Sequence, residues 1–155
     1  MILAGDIGGT KTVLALFSEV EGIAGGVAHE TRYPSNEYDS LESVIDEFLG
    51  KVGLVPSVAC FGVAGPVDNQ TSQITNLPWR ISAGSIAERF NIGRVKLIND
   101  LESIATAVPH LGSEELCTLN LGVAKSLGNI AVVAPGTGLG TAFLVWTGTR
   151  YKALA

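Results

Sequence analysis

The feature that most constrains this chain is a glycine-rich segment between two apolar runs near the N-terminus. Residues 2–4 are apolar, Gly5–Thr10 follow, and a second apolar run covers residues 13–17. This pattern predicts a strand, a glycine turn and a second strand. The adjacent glycines, Gly8 and Gly9, would let backbone N–H groups approach an anion closely.

Polar groups in the same segment suit a nucleoside triphosphate and its metal ion. They are the carboxylate of Asp6, the hydroxyl of Thr10 and the ammonium of Lys11. The alternative is an ordinary hairpin whose glycines serve only a positive φ. The segment alone leaves both interpretations open, since short glycine motifs often match by chance.

Composition limits the classes of partner. With 155 residues the chain fits one domain with a real core. Its hydrophobic content is 46%, its charged content is 16% and its mean hydropathy is +0.35. Such values indicate an unusually complete core, or apolar surface that meets something else. The net charge of −5 provides no basic surface for nucleic acid, so we expect no nucleic-acid partner.

The cysteines and apolar segments indicate a cytoplasmic soluble protein. Cys60 and Cys117 lie far apart and form neither a disulfide framework nor a zinc site. Asp6 interrupts the first apolar stretch, so no signal peptide is expected. The apolar segment 130–146 contains one proline and several glycines, a combination that argues against a membrane span.

Periodicity predicts alternating strands and helices. A helix should start at an Asp39 cap, with Glu42 at capping-box spacing, and stop at Gly53. A second helix should run from a Ser82 cap to Phe90, and a third should cover residues 101–109. A hairpin tip is predicted at residues 69–72. Strands are predicted at residues 2–7, 12–17, 27–33, 58–63, 95–98, 129–134 and 141–146.

A second glycine turn lies between the last two predicted strands. Residues 136–141 read Gly-Thr-Gly-Leu-Gly-Thr and offer backbone amides and the Thr137 hydroxyl. Two such turns on either side of a cleft could hold different phosphates of one nucleotide. The alternative is a glycine hairpin in a tight sheet.

Asn99 and Asp100 follow a predicted buried strand and open a helix. Catalytic side chains favour this position in α/β sheets. Asp100 could equally be a simple helix cap. The segment Thr75-Asn76-Leu77-Pro78-Trp79 combines hydrogen-bonding groups with an aromatic ring, as polyol sites do, but Trp79 could instead fill the core.

Five segments in this order resemble the bacterial glucokinases, members of the hexokinase–actin–heat-shock ATPase superfamily. The segments are residues 3–11, 60–67, 74–79, 98–100 and 134–140. The resemblance implies an α/β fold of the ribonuclease H-like or actin-like ATPase type. It implies a mixed five-stranded sheet flanked by helices, plus the first hairpin of a second similar domain. Residues 1–110 would form a small N-terminal kinase domain and residues 111–155 the start of a large one.

The resemblance also implies ATP-dependent phosphorylation of glucose at its 6-hydroxyl, with Mg²⁺. Asp100 would take the proton from that hydroxyl, and Asn99 would hold the neighbouring one. Asp6 would lie near the metal ion. Thr75, Asn76 and Gly138 would line the sugar side. Contacts to ATP would come from Gly5, Asp6, Ile7, Gly8, Gly9, Thr10, Lys11, Gly136, Thr137 and Gly138.

The family pattern continues with a Gly-His segment and further glutamates that these 155 residues lack. We therefore expect an N-terminal portion that is inactive alone, with a small-molecule sugar as the partner of the whole protein; a homodimer is compatible with the resemblance. One alternative is a broader sugar kinase of the repressor–kinase group, which usually carries a zinc motif and a glycine between the residues that here are adjacent as Pro78 and Trp79. Another is a non-catalytic sugar-sensing module.

Overall fold

The computed structural model describes residues 1–20, 23–123, 125–135 and 139–155. These residues form two compact units, Met1–Asp100 and Leu101–Ala155.

Unit 1 is built on a mixed five-stranded sheet. Its strands are β1 (Ile2–Ile7), β2 (Lys11–Val20), β3 (Ile23–Pro34), β4 (Val58–Val63) and β8 (Arg94–Asn99). They lie in the order β3-β2-β1-β4-β8. The first three strands of the chain pair antiparallel, whereas β1, β4 and β8 run parallel. The sequence predicted all five, and β2 and β3 are longer than expected because they pair along almost their full length.

The three parallel strands end in the same row. Ile7 lies beside Val63 in the β1–β4 pair, and Val63 lies beside Asn99 in the β4–β8 pair. The residues that follow these strands therefore leave the sheet at one edge, its carboxyl edge. Ligand sites of open α/β sheets lie at this edge.

Two helices complete unit 1, α1 (Leu41–Val52) and α2 (Ala83–Phe90). The predicted Asp39 cap of α1 is wrong: the cap is Ser40, whose Oγ accepts a hydrogen bond from the Ser43 backbone N–H at 3.2 Å. A cap side chain must lie directly before the first helical residue, so Asp39 is one position too early. The predicted stop at Gly53 (φ 68°) and the predicted cap at Ser82 are confirmed.

A small three-stranded sheet lies between β4 and α2 in the chain. It consists of β5 (Val67–Asp68), β6 (Thr71–Gln73) and β7 (Arg80–Ser82), and its strands pair antiparallel in that order. The predicted hairpin tip is confirmed at Asn69 and Gln70, which connect β5 to β6. The sequence analysis missed β7, a strand of only three residues.

The core of unit 1 lies between the sheet and its helices. Trp79 is 1% exposed, and its indole Nε1 donates a hydrogen bond to the Tyr38 carbonyl oxygen at 3.0 Å. The ring therefore fills the core, and of its segment only the exposed Thr75 and Asn76 stay candidates for the sugar side. The other large side chains buried there include Leu3, Ile7, Leu14, Leu16, Leu41, Ile45, Phe48, Phe61, Ile81 and Ile86.

Unit 2 has a three-stranded antiparallel sheet. Its strands are β9 (Ile130–Pro135), β10 (Leu139–Trp146) and β11 (Tyr151–Leu154), in the order β11-β10-β9, and α3 (Asp100–Ala107) precedes them. The sequence predicted β9, β10 and α3. It missed β11, which follows a turn through Gly148 (φ 95°). The second glycine turn falls on Gly136, Thr137 and Gly138, which lie outside the described residues.

The sheet of unit 2 is apolar on both faces, but the described residues cover only one of them. Leu144 and Ala142 are buried with Ala105 of α3. On the other face Phe143 is 54% exposed and lies between Ala131 and Leu154 in one cross-strand row. This exposed face is one place where the apolar surface indicated by the high mean hydropathy lies. Among the described residues, none of the helices has the length and hydropathy that a membrane crossing requires.

Candidate active site

The first glycine turn is shorter than the glycine-rich segment. β1 ends at Ile7 and β2 begins at Lys11, so the turn itself is Gly8–Thr10, closed by a hydrogen bond from the Gly8 N–H to the Lys11 carbonyl oxygen at 3.0 Å. Gly5, Asp6 and Ile7 belong to β1. The side chains of Asp6, Thr10 and Lys11 are exposed, so all three are accessible to a ligand.

Close approach, rather than a positive φ, explains the two glycines of the turn. Neither Gly8 nor Gly9 has a positive φ. A Cβ atom at Gly8 would lie 3.0 Å from the Lys11 carbonyl oxygen, and one at Gly9 would lie 3.2 Å from the Asn76 Cβ. The two glycines therefore do not serve a positive φ, as the ordinary-hairpin interpretation supposed. The second contact also places Asn76, a predicted sugar-side residue, directly against the turn.

Packing in the core restricts what two other residues of the segment, Gly5 and Ile7, can do. A Cβ atom at Gly5 would lie 2.6 Å from Phe61 Cδ1, so a side chain there would displace the core. The side chain of Ile7 is fully buried. Ile7 can therefore contact a ligand only through its backbone.

Ser35 holds the turn in place, and sequence reasoning missed it. Its Oγ donates to the Gly8 carbonyl oxygen at 2.8 Å, and its backbone N–H donates to the Thr10 carbonyl oxygen at 3.1 Å. Its Oγ also shares a hydrogen bond with Thr12 Oγ1 at 2.9 Å, and both side chains are fully buried. The only sequence signal was a small polar residue after Pro34, at a break in the strand pattern.

The Ser35 contacts orient the peptide units of the turn. Because a trans peptide directs its C=O and N–H in opposite directions, the bonded carbonyls of Gly8 and Thr10 aim the N–H groups of Gly9 and Lys11 away from Ser35. Backbone N–H groups arranged in this way form an anion-binding concavity. The turn therefore presents the N–H groups of Gly9 and Lys11 on its side away from Ser35.

Asp6 lies in an electrostatically unusual position. Partial burial raises the pKa of the Asp6 carboxyl above its ordinary value; Lys11 lowers it and the negative charge of Asp100 raises it. The negative charge of Asp100 therefore acts on the Asp6 carboxyl. A cation between them would relieve this repulsion.

The donor set fits Mg²⁺, which is usually bound by one or two carboxylates together with phosphate oxygens and water. Within the described ranges, no group of three or more His, Cys, Asp or Glu side chains could enclose a metal ion. Asp6, with Asp100 nearby, therefore suits a metal ion that arrives bound to phosphates rather than a closed protein site.

Asn99 and Asp100 lie at the carboxyl edge. The Asn99 Nδ2 donates to the Gly65 carbonyl oxygen at 3.1 Å, which fixes the orientation of its amide. α3 begins at Asp100 itself, so this residue lies in the first turn of the helix rather than before it. Its carboxylate is half-buried.

The structure thus brings several predicted residues to one edge of unit 1. The turn follows β1, Asn99 and Asp100 end β8, and Asn76 contacts the turn. Thr75 and Asn76 are exposed in a connection that is closed by a hydrogen bond from the Ile74 N–H to the Trp79 carbonyl oxygen at 3.1 Å. The described residues provide no position for Gly136, Thr137 or Gly138.

Comparison with known proteins identifies the family. The sequence model of the family described as Glucokinase matches residues 3–155. The chain belongs to the glucokinase family. The glucokinase of Trichormus variabilis is 36% identical over 159 residues, which cover 98% of this chain and 45% of that protein. The glucokinase of Synechocystis is 37% identical over 164 residues, which cover 99% and 46%.

A solved glucokinase structure agrees with this assignment. The glucokinase from an Antarctic psychrotroph superposes with a TM-score of 0.85 at 33% identity, covering 99% of this chain and 49% of that one. The predicted actin-like α/β fold, with its mixed sheet flanked by helices, is confirmed. The chain spans about half the length of the glucokinases that it matches.

Proposed function

We propose that these 155 residues are the N-terminal part of an ATP-dependent glucokinase that converts glucose to glucose 6-phosphate. The observation that carries the proposal is made at the carboxyl edge of unit 1. The glycine turn after β1, with its N–H groups directed away from Ser35, lies at the same edge as Asp100, which follows β8. The family membership and the names of the relatives support glucose as the substrate. Such chemistry belongs in the cytoplasm, where we place the protein.

The glycine turn would hold the phosphates of ATP. The N–H groups of Gly9 and Lys11 would bind phosphate oxygens, and the Lys11 ammonium would add positive charge. Asp6 would hold Mg²⁺, which, when bound, neutralises negative charge on the phosphates. Gly136, Thr137 and Gly138 would supply the second phosphate loop.

The sugar would lie beside Asn99 and Asp100. Asn99 would bind one hydroxyl, with Thr75 and Asn76 on the same side, while Asp100 accepts a hydrogen bond from the 6-hydroxyl. As the oxygen of that hydroxyl bonds to the γ-phosphorus, the bond from that phosphorus to ADP breaks and the proton passes to Asp100. In such a loose transition state the base mainly orients the hydroxyl and takes its proton late.

Two domains would have separate roles, with a boundary that lies ten residues after the division of the structure at Asp100. We propose that residues 1–110 form the small domain and that residues 111–155 begin the large one. The apolar outer face of β9–β11, with Phe143 at its centre, supports this view because it lacks a cover among the described residues.

A coupled assay for glucose 6-phosphate tests the proposal. A polypeptide of the relatives' length that contains these residues should phosphorylate glucose with ATP, and residues 1–155 alone should not. Turnover of a different sugar with none of glucose would favour the broader repressor–kinase group. Sugar binding without any transfer would favour the sensing module and contradict the kinase.

A further inference from the structure

On the outer edge of β8, the backbone of Leu97 pairs with the side chain of Gln70. β8 is the last strand of the sheet, with β4 on its inner side. The backbone N–H of Leu97 donates to the Gln70 Oε1 at 2.8 Å, and the Gln70 Nε2 donates to the Leu97 carbonyl oxygen at 3.3 Å. The amide of Gln70 thus pairs with Leu97 in the way that a residue of a neighbouring strand would.

The backbone of Gln70 has a left-handed conformation, which is unfavourable for glutamine. It has a φ of 59°, and Asn69 before it has a φ of 46°. A two-residue hairpin connection with two positive φ values favours Asn followed by Gly. An L-residue other than Asn or Asp is disfavoured in this left-handed region, whereas glycine is not. The turn itself would be more stable with glycine at the second position, but glycine would lack the amide that binds Leu97.

The same hairpin contacts the end of β8 at a second point. Gly65, just before β5, accepts the hydrogen bond from the Asn99 Nδ2. A Cβ atom at Gly65 would lie 2.9 Å from the Gln73 carbonyl oxygen of β6, so this approach depends on glycine. The hairpin therefore fixes both the backbone of Leu97 and the side chain of Asn99, which follows it on the same strand.

A third bond connects the tip to α2. The Gln70 carbonyl oxygen accepts a hydrogen bond from the N–H of Ala83, the first residue of that helix, at 3.0 Å. Gln70 thereby links the hairpin tip, α2 and the edge of β8. A residue bonded to separate elements restrains them relative to one another.

We propose that Gln70 is a positioning residue for Asn99 and Asp100. By pairing with Leu97 it fixes the free edge of β8 just before these two residues leave the sheet. The proposal rests on the proposed function, since it takes Asn99 and Asp100 as the residues that hold the sugar. It assigns no contact between Gln70 and either substrate.

The decisive comparison is Gln70→Gly against Asn69→Gly, in a polypeptide of the relatives' length. Both substitutions remove a side chain from a left-handed position of the same turn. The side chain of Asn69 makes no hydrogen bond to any described residue, so only Gln70→Gly removes the bonds to Leu97. In Gln70→Gly the relief of the unfavourable left-handed conformation offsets the loss of these bonds, so the melting temperatures of the two variants should agree within about 2 °C. Hydrogen exchange at the Leu97 amide should be about fivefold faster or more in Gln70→Gly alone.

Kinetics separate positioning from general support. Gln70→Gly should lower kcat on the order of tenfold and raise the KM for glucose, while the KM for ATP stays at the value of Asn69→Gly. This split is expected because Gln70 acts on β8, whereas the turn for the phosphates follows β1. A merely structural defect would not change the sugar parameters alone.

The other possible results contradict either the positioning role of Gln70 or the proposed function, and they can be told apart. If Leu97 exchanges no faster in Gln70→Gly, or if its kcat equals that of Asn69→Gly, the positioning role is wrong while the proposed function stands. If the parent protein does not phosphorylate glucose at all, the proposed function fails first. Should Gln70→Gly not fold, Gln70→Glu keeps the acceptor for the Leu97 N–H but removes the donor, and the same kinetic split should appear in it; its absence would contradict the role.

Discussion

The Ser35 hydroxyl donates a hydrogen bond to the Gly8 carbonyl oxygen at 2.8 Å, across 27 positions of sequence. This contact fixes the glycine turn from the core side, and it leaves the opposite side of the backbone to a ligand. A fully buried serine thus restrains the backbone of a turn whose other side is free of the core.

Replacing Ser35 should weaken both the fold and nucleotide binding. Ser35→Ala leaves the Gly8 carbonyl and the Thr12 hydroxyl without their partner, which should cost roughly 2–3 kcal/mol in the free energy of unfolding. Denaturant unfolding measures this loss. The double variant Thr12→Val/Ser35→Ala should regain about 1 kcal/mol, because the stranded hydroxyl is gone.

Nucleotide affinity should not recover in that double variant, since the turn still lacks its restraint. A dissociation constant for an ATP analogue, measured by calorimetry, checks this. Normal affinity in Ser35→Ala would show that the turn needs no restraint from Ser35.

Asp6→Asn should stabilise the fold and weaken binding of the metal–nucleotide complex. Burial and the charge of Asp100 raise the pKa of Asp6, so its ionised form is disfavoured in the folded state. This cost is present at neutral pH, above that pKa, and disappears as the carboxyl protonates at acid pH. The melting temperature should therefore rise by roughly 1–3 °C at neutral pH, with a smaller rise in acid. Asp68→Asn, on the exposed hairpin, is the control; an equal gain there would contradict the explanation.

Asp100→Asn separates proton transfer from sugar binding. The amide cannot accept the proton of the 6-hydroxyl, so kcat in the longer polypeptide should fall by about 10²- to 10⁴-fold. Glucose affinity should stay within about threefold, because the isosteric amide still hydrogen-bonds a hydroxyl. Asp39→Asn, an exposed carboxylate that does not cap α1, should retain full activity. A near-normal kcat in Asp100→Asn would remove Asp100 from the role of base.

Trp79→Phe should affect stability rather than sugar binding. The substitution removes the indole N–H that the Tyr38 carbonyl accepts and leaves a gap in the core, at a cost of about 2–4 kcal/mol. The KM for glucose should remain unchanged in the folded fraction. Trp146→Phe, at a half-buried ring of unit 2, should cost less. A large rise in KM for Trp79→Phe alone would place the ring beside the sugar.

The sequence predicts the main strands and the carboxyl edge because both depend on local signals. Runs such as residues 58–63 are continuous and apolar, as buried strands are, and Asn99-Asp100 directly follows another. The cap of α1 failed by one position because Asp39/Glu42 and Ser40/Ser43 offer the same spacing, and only the first helical turn decides between them.

The contacts that position the site could not be predicted in this way. Ser35 meets Gly8, and Gln70 meets Leu97, only after the sheet has formed, and neither pair has a period or a spacing that marks it. Strands as short as β7 and β11 also escape periodicity, because so few residues contain too few alternations.

The division of the chain at Asp100 has a consequence for synthesis. All strands of the mixed sheet, from β1 to β8, come from the first unit, and domains made first can fold first on the ribosome. The carboxyl edge of this sheet can therefore assemble while β9–β11 are still being translated. The sheet whose outer apolar face carries Phe143 therefore emerges after the mixed sheet can already have formed, so that face is not exposed beside an unfolded unit 1.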